Sequence, residues 1–200
     1  IFASTYLISN SSKIYSLLRK KLFFLGRNSN KHSLENLPSE DLSEHTILIG
    51  HHHIGSIIFE ALKESKEDVV IIDFDPNRIR PLIEQKEYCI YGDAVDRDII
   101  DSLHIKKAKR VISTLDKYEE SLSIIEEYKK INRKIEIIVT TDATEEAIDL
   151  YKAGATLVIV PTLISGDYLS YLLKKIKSGE TSMEQLRKKE IKAIEEHEME

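Results

Sequence analysis
Short, wholly apolar runs alternate along the chain with stretches whose apolar residues recur at helical spacing. Thr46–Gly50 (TILIG), Val69–Asp73 (VVIID), Tyr88–Tyr91 (YCIY), Arg110–Thr114 (RVIST), Glu136–Thr140 (EIIVT) and Ala155–Val160 (ATLVIV) read as strands. Helical patterns lie between them at Ile54–Lys63, Pro76–Glu84, Asp96–Leu103, Tyr118–Asn132 and Thr144–Ala153. Strands that lack polar alternation are buried on both faces, which requires a parallel sheet covered by helices. The pattern predicts an α/β fold, a doubly wound sheet of six parallel strands with helices on both faces.

The flanks have a different texture. Arg27–His45 (RNSNKHSLENLPSEDLSEH) is rich in Ser, Asn and charge, contains Pro38 and shows no apolar period, so it reads as a linker. From Gly179 onward Lys and Glu alternate, as in a solvated helix held by charge pairs. Ile1–Ile8 is apolar, and Ile14–Leu25 is apolar with a basic cluster inside it.

Charge sharpens this division. Between Ile1 and Leu34 stand six basic residues (Lys13, Arg19, Lys20, Lys21, Arg27, Lys31) and no Asp or Glu, while the rest carries 23 basic against 34 acidic side chains. An acidic body argues against non-specific nucleic-acid binding, which depends on neutralising phosphates. The basic head fits either RNA or an anionic lipid surface. Eight apolar residues are too few for a bilayer core, which takes about 20 in a helix. Positive charge follows the apolar run, the reverse of a secretory signal and the order expected where a transmembrane helix leaves on the cytoplasmic side. An amphipathic helix capping the domain is the alternative. The chain begins at Ile1 and not Met, which points to a piece of something longer. The expected organisation is therefore 1–26 as the end of a last transmembrane helix with its basic juxtamembrane segment, 27–45 as linker, 46–178 as the α/β domain and 179–200 as the charged helix. Cys89 is the single cysteine, so an intrachain disulfide and a Cys-based zinc site are excluded, and a reducing, cytosolic setting fits.

Candidate chemistry sits at strand ends, because such sheets bind ligands at the carboxyl edge where strand order reverses. The first strand runs into Gly50-His51-His52-His53-Ile54-Gly55, the frame of the Rossmann fingerprint G-x-G-x-x-G with His52 in place of the central Gly. Gly50 permits the tight turn, Gly55 lets the helix approach the strand, and the N–H groups opening the helix at Ile54 face an anion. A strand–helix turn needing two glycines for packing alone would look the same. Asp73 ends the second strand 23 residues after Gly50, near the offset of the acid that accepts ribose hydroxyls. Phe74 and Asp75 follow, so NAD(H), AMP or ADP is favoured over NADP, an exclusion that Arg78 and Arg80 weaken slightly. Asp75, before Pro76, suits a helix N-cap. Asp93 either caps the next helix or accepts from an adenine amino group. Thr114, ending the fourth strand, either faces the ligand's distal part or is simply a β-branched strand residue. Consecutive histidines point in different directions and no carboxylate lies close in sequence, so no metal site is expected; His53 is placed to help hold a phosphate. Cys89 reads as a small core residue.

Together ILIGHHHIG, VVIIDFDPNRI, YGDAVDRDII, KRVISTLDKYEESL and ATLVIVPTLISGDYL resemble the RCK/KTN (TrkA-N) nucleotide-binding domain, over His45 to about Lys175. Upstream, STYLI with SSKIYSLLRKKLFFL resembles the end of the last membrane helix in Kef-type cation:proton antiporters, where such a domain follows through a short linker. The resemblance implies an adenine nucleotide in the Gly50–Gly55 cleft, with Asp73 on ribose, Asp93 and Ala94 near adenine, Thr114 at the border and His53 where many members carry a phosphate-facing Arg. His52 replaces the second Gly, and Ser121 stands where members often have Asn in D-x-x-x-x-N-L. Both departures fall at the pyrophosphate end and favour a mononucleotide at least as much as NAD(H). The resemblance also implies a homodimer through the region after the sixth strand, here Leu163–Ile176; closing the chain's own core is the other use of those leucines.

No Ser/His/Asp order, metal-ligand spacing or mobile acid pair stands out, so no enzyme is expected. The reading is a regulatory domain on the cytoplasmic face of a membrane, coupling ligand binding to gating of a monovalent cation (K+ or Na+):proton antiporter and partnered by the transport domain of the same chain. The alternatives are a free-standing TrkA-like subunit of potassium uptake and a fragment of a soluble NAD-dependent oxidoreductase.

Overall fold
All six apolar runs form strands in the computed structural model, which describes residues 35–37 and 41–198. The membrane-helix end expected in 1–26, and linker residues 27–34 and 38–40, lie outside the described residues. In chain order the elements are β1 (Glu35–Asn36), β2 (Thr46–Ile49), α1 (His53–Glu64), β3 (Val69–Asp73), α2 (Pro76–Glu84), β4 (Tyr88–Tyr91) and α3 (Arg97–Ser102). They continue with β5 (Arg110–Ser113), α4 (Tyr118–Ile131), β6 (Glu136–Thr140), α5 (Thr144–Ala153), β7 (Leu157–Ile159), α6 (Pro161–Ser178) and α7 (Met183–Glu198). Among the described residues no helix is long and apolar enough to cross a membrane.

The sheet has seven strands in the order β1-β4-β3-β2-β5-β6-β7. Six are parallel, with Ile47 opposite both Val70 and Val111 in register, and Val111 opposite Ile137. The seventh, short and antiparallel, joins the six parallel strands that were expected and comes from the stretch 27–45 that reads as linker. Glu35 and Asn36 pair antiparallel with Ile90 and Cys89, and Asn36 Nδ2 donates to the Glu87 carbonyl. Leu42 is then buried in the hydrophobic core, so the incoming chain is anchored to the sheet before β2 begins.

Burial follows the two-sided pattern. Ile47, Leu48, Val70, Ile71, Val111, Ile137 and Val139 are fully buried, covered by Phe59 and Leu62 of α1, Ile79 and Leu82 of α2, Ile124 and Ile125 of α4 and Leu150 of α5. Tyr128 is buried among them, its hydroxyl donating to the Ala94 carbonyl at 3.0 Å, and burial pushes that phenol well above its usual range. Cys89 is fully buried and burial pushes its thiol up, which makes it an unreactive core residue. Helix α6 is the exception to this economy. None of its 18 residues is buried, and Leu163, Ile164, Leu169, Tyr171 and Leu173 are each half exposed. Those leucines do not close the chain's own core.

Candidate functional site
Strand order reverses beside β2, which has β3 and β4 on one side and β5, β6 and β7 on the other. The chain leaves β2 through Gly50, whose φ of +89° is left-handed. A Cβ there would stand 2.5 Å from Thr114 Oγ1. At Gly55 a Cβ would lie 1.9 Å from the Gly50 carbonyl oxygen, so α1 crosses the turn at a distance only hydrogen permits. Thr114 Oγ1 donates to the Gly50 carbonyl (3.0 Å) and the Ile49 carbonyl (3.2 Å). Its hydroxyl therefore ties the turn to β5.

Helix α1 opens one residue earlier than the apolar period indicated, at His53. The reason is a cap: His52 Nδ1 accepts from the His53 N–H at 2.9 Å, and the two rings meet edge to face at 4.3 Å. His51 faces the other way. Its ring packs edge-on against Phe59 between α1 and α2, where burial lowers its pKa while the nearby Asp73 carboxylate opposes the shift. Its side chain is thus removed from the crevice, although its backbone is central to it.

Asp73 is 6% exposed, and both carboxylate oxygens are engaged: Oδ2 accepts from the His51 N–H at 2.7 Å and Oδ1 from the Asp75 N–H at 2.8 Å. One carboxylate thereby orients the loops after β2 and after β3. Arg78 completes the tie, donating to the His51 carbonyl (2.9 Å) and to Asp75 Oδ2 (3.2 Å). Asp75 caps α2 by accepting from the Asn77 N–H, and that bond holds its carboxyl below the usual range. Asp93 caps no helix. It accepts from the Val95 N–H two residues on, and the cap of α3 is Asp96.

Two adjoining cavities share Gly50, Asp73, Phe74, Leu115 and Glu120. The inner one, about 300 Å³, is walled by Ile49, Ile72, Gly92, Asp93, Ala94, Val95, Ser123 and Ile124, with Glu119 beside Glu120. It has four carboxylates and no cation on its walls. The outer one, about 870 Å³, adds His52, His53, Ile54, Thr114, Arg78 and Lys117, together with Asp75, Asp116 and Asp142. Phosphate-compatible groups and the N-terminus of α1 thus lie on the outer side, while the inner cavity offers acceptors to an uncharged, donor-bearing group. Among the described residues no group of three or more His, Cys, Asp or Glu is placed to hold a metal ion.

The sequence reading missed Val95, Glu119, Glu120, Ser123 and Lys117. The first turn of α4 follows β5 at the carboxyl edge, so the rule that placed Gly50 and Asp73 there reaches Lys117–Glu120 as well. Ser121, expected at the pyrophosphate end, is buried behind the wall with its hydroxyl on the Thr140 carbonyl, and it lines neither cavity.

A crevice at the switch point of a doubly wound sheet, with a glycine-paired turn on one side and an acid ending the neighbouring strand on the other, defines a Rossmann-type binding domain. The chain belongs to the TrkA-N domain family, whose model matches residues 46–161. Over 127 residues it is 32% identical to Potassium channel protein 1 of Methanocaldococcus jannaschii, covering 62% of this chain and 38% of that protein. Over 120 residues it is 28% identical to the putative cation/proton antiporter YbaL of Escherichia coli, covering 60% of this chain and 22% of that protein. The crystal structure of the YbaL TrkA-N domain superposes with a TM-score of 0.65 at 26% identity, covering 66% of this chain and 98% of the other. The fold is also that of the GsuK channel bound to NAD (TM-score 0.61, 20% identity, 80% and 29% covered). It is shared as well by the Shewanella denitrificans Kef C-terminal domain in its AMP-bound form (0.58, 18%, 77% and 92%). The chain spans well under half the length of the curated relatives it matches.

Proposed function
We propose that this domain is a regulatory, non-catalytic sensor of an adenine nucleotide (AMP, ADP or NAD(H)) that gates a monovalent cation:proton antiporter from the cytoplasmic face of a membrane. The observation that carries this reading is the arrangement around Asp73. A nearly buried carboxylate and the opening of α1 flank one crevice whose inner end bears four carboxylates and no cationic side chain and whose outer end bears Arg78, Lys117, His52 and His53. A nucleoside fits inward, its ribose hydroxyls donating to Asp73 and its base beside Asp93 and Ala94. Phe74, 71% exposed at the rim, is available to stack on the ligand. The phosphate then meets the Ile54 N–H at the opening of α1, near the His53 side chain, and His52 narrows the approach for a second phosphate. AMP in a Kef C-terminal domain and NAD in the GsuK channel agree with this class of ligand. The likeness to YbaL favours an antiporter as the effector. The 32% identity to a potassium channel protein favours the same sensor on a potassium pathway as the second reading.

Calorimetric titration with AMP, ADP, ATP, NAD and NADH tests the proposal. Saturable one-site binding of at least one of them is expected, and no heat from any of the five would remove the nucleotide reading.

The same proposal includes a homodimer through Leu163–Ile176. An 18-residue helix with no buried residue and five half-exposed large apolar side chains is unlike a solvated surface helix. Sedimentation is expected to show a dimer that Leu169→Glu converts to monomer with the circular dichroism unchanged. A monomeric parent protein would end this part of the proposal.

A further inference from the structure
We propose that His45 is a proton-sensitive latch, holding the incoming chain at residues 41–45 against the amino edge of the sheet and releasing it on acidification. His45 immediately precedes β2 and is 0% exposed. Its Nε2 lies 3.0 Å from the Leu103 carbonyl, an acceptor, so the proton of the neutral ring is on Nε2 and Nδ1 carries a lone pair. That Nδ1 is buried and makes no hydrogen bond among the described residues. Protonation would create an N–H and a positive charge with no acceptor beside them, in a place water does not reach.

The surroundings do not compensate. From the ring's own segment comes Glu44, from the approach to β3 Asp68, and from the turn after α3 His104. Lys107, Lys109 and Arg110 lie on the approach to β5, with Arg110 engaged by Glu67 and Glu136. Glu44 and Asp68 favour the charged ring but are themselves exposed, His104 opposes it, and burial is the largest effect, so the pKa of His45 is lowered. The segment it secures is also tied by Leu42 in the core, by the Glu44 N–H on the Lys107 carbonyl at 2.8 Å, and by the His45 carbonyl accepting from the Lys109 N–H at 3.0 Å. Glu44 itself is left-handed (φ 57°), a conformation that persists only while its surroundings hold it. The latch stands at one end of β2 and the Gly50 turn at the other. A proton input therefore enters on the strand that carries the crevice, from the side where the preceding chain arrives, and it is independent of which ligand the crevice takes.

The sign follows from linkage. The docked state keeps His45 neutral, whereas the released state titrates at the ordinary value near 6.5. Docking is therefore fully favoured above that pH and weakens as pH falls below it, the opening equilibrium rising by at most about tenfold between pH 7.5 and 5.5. Amide hydrogen exchange on the whole chain at pH 7.5, 6.5 and 5.5, corrected for the intrinsic rate, reads this directly. Protection of the Glu44 amide is expected to fall, by up to about tenfold, over that range while Val111 in β5 stays constant. His45→Gln keeps a donor for the Leu103 carbonyl but cannot titrate, and its Glu44 protection is expected to be flat with pH. A constant value in the parent protein, or an equal fall in the variant, overturns the latch. Should the variant fail to fold, an NMR titration of the parent protein's His45 ring decides: a midpoint below 6.5 supports the latch, and one at or above 6.5 overturns it.

Discussion

Gly55→Ala is expected to destabilise the domain by about 3 kcal/mol or more, seen as a large drop in the urea midpoint, and to abolish nucleotide binding with it. Overpacking a core usually costs about 1–3 kcal/mol because side chains rotate or shift to absorb the added methyl. At Gly55 the obstacle is backbone. The new Cβ would lie 1.9 Å from the Gly50 carbonyl oxygen and 2.9 Å from its carbon, and neither atom has a rotamer to change. Moving Gly50 away would disturb its left-handed turn and the hydrogen bond its carbonyl accepts from Thr114. Moving α1 away would withdraw Phe59 and Leu62 from the sheet. The same substitution at Gly166 in α6, where a Cβ meets nothing within 4 Å, is expected to change monomer stability by no more than helix propensity, about 1 kcal/mol in the favourable direction. A Gly55→Ala midpoint equal to that of the parent protein would show that the strand–helix contact has slack, and the turn would lose its standing as a preformed cradle.

The glycine pair was readable because spacing alone expresses it, and the strands were readable because burial on both faces leaves no polar residue inside them. Features resting on backbone pairing were not. Glu35 and Asn36 form an edge strand with two polar side chains, and nothing in their pattern signals the ladder to β4. The incoming segment looked like linker because a single leucine, Leu42, and a single histidine, His45, anchor it. In α4 the helical period marks Ile124, Ile125 and Tyr128 as the core face, and it says nothing about which polar residues of the first turn overhang the crevice. Glu119 and Glu120 were missed for that reason. Side-chain direction was the other gap. Three consecutive histidines share a sequence motif, but the helix start sends His52 and His53 to the crevice and His51 behind it. Ser121 and Thr114 are likewise spent on backbone carbonyls, a pairing that only the tertiary fold creates.

Asp73→Ala is expected to weaken the bound adenylate by about 1–3 kcal/mol, the range for hydrogen bonds to a charged group. Two mechanisms predict a loss of this size, and the geometry separates them. Each Asp73 oxygen already accepts one backbone N–H, from His51 and from Asp75, so removing the carboxylate also unties the two loops that frame the crevice. A carboxylate nevertheless has about four acceptor positions, which leaves two for ribose hydroxyls. The direct role makes a specific demand: deleting the hydroxyls from the ligand must matter only while Asp73 is present. With AMP and its 2',3'-dideoxy analogue against the parent protein and Asp73→Ala, the cycle is expected to be strongly non-additive, the variant binding both nucleotides about equally. Additive losses would assign Asp73 to the architecture of the turn alone and leave the ribose without its acceptor. Asp73→Asn refines the point, because an amide preserves one backbone acceptor and turns the other position into a donor facing an N–H. Its stability is expected to fall between those of the parent protein and Asp73→Ala, while its discrimination between the two nucleotides is mostly lost.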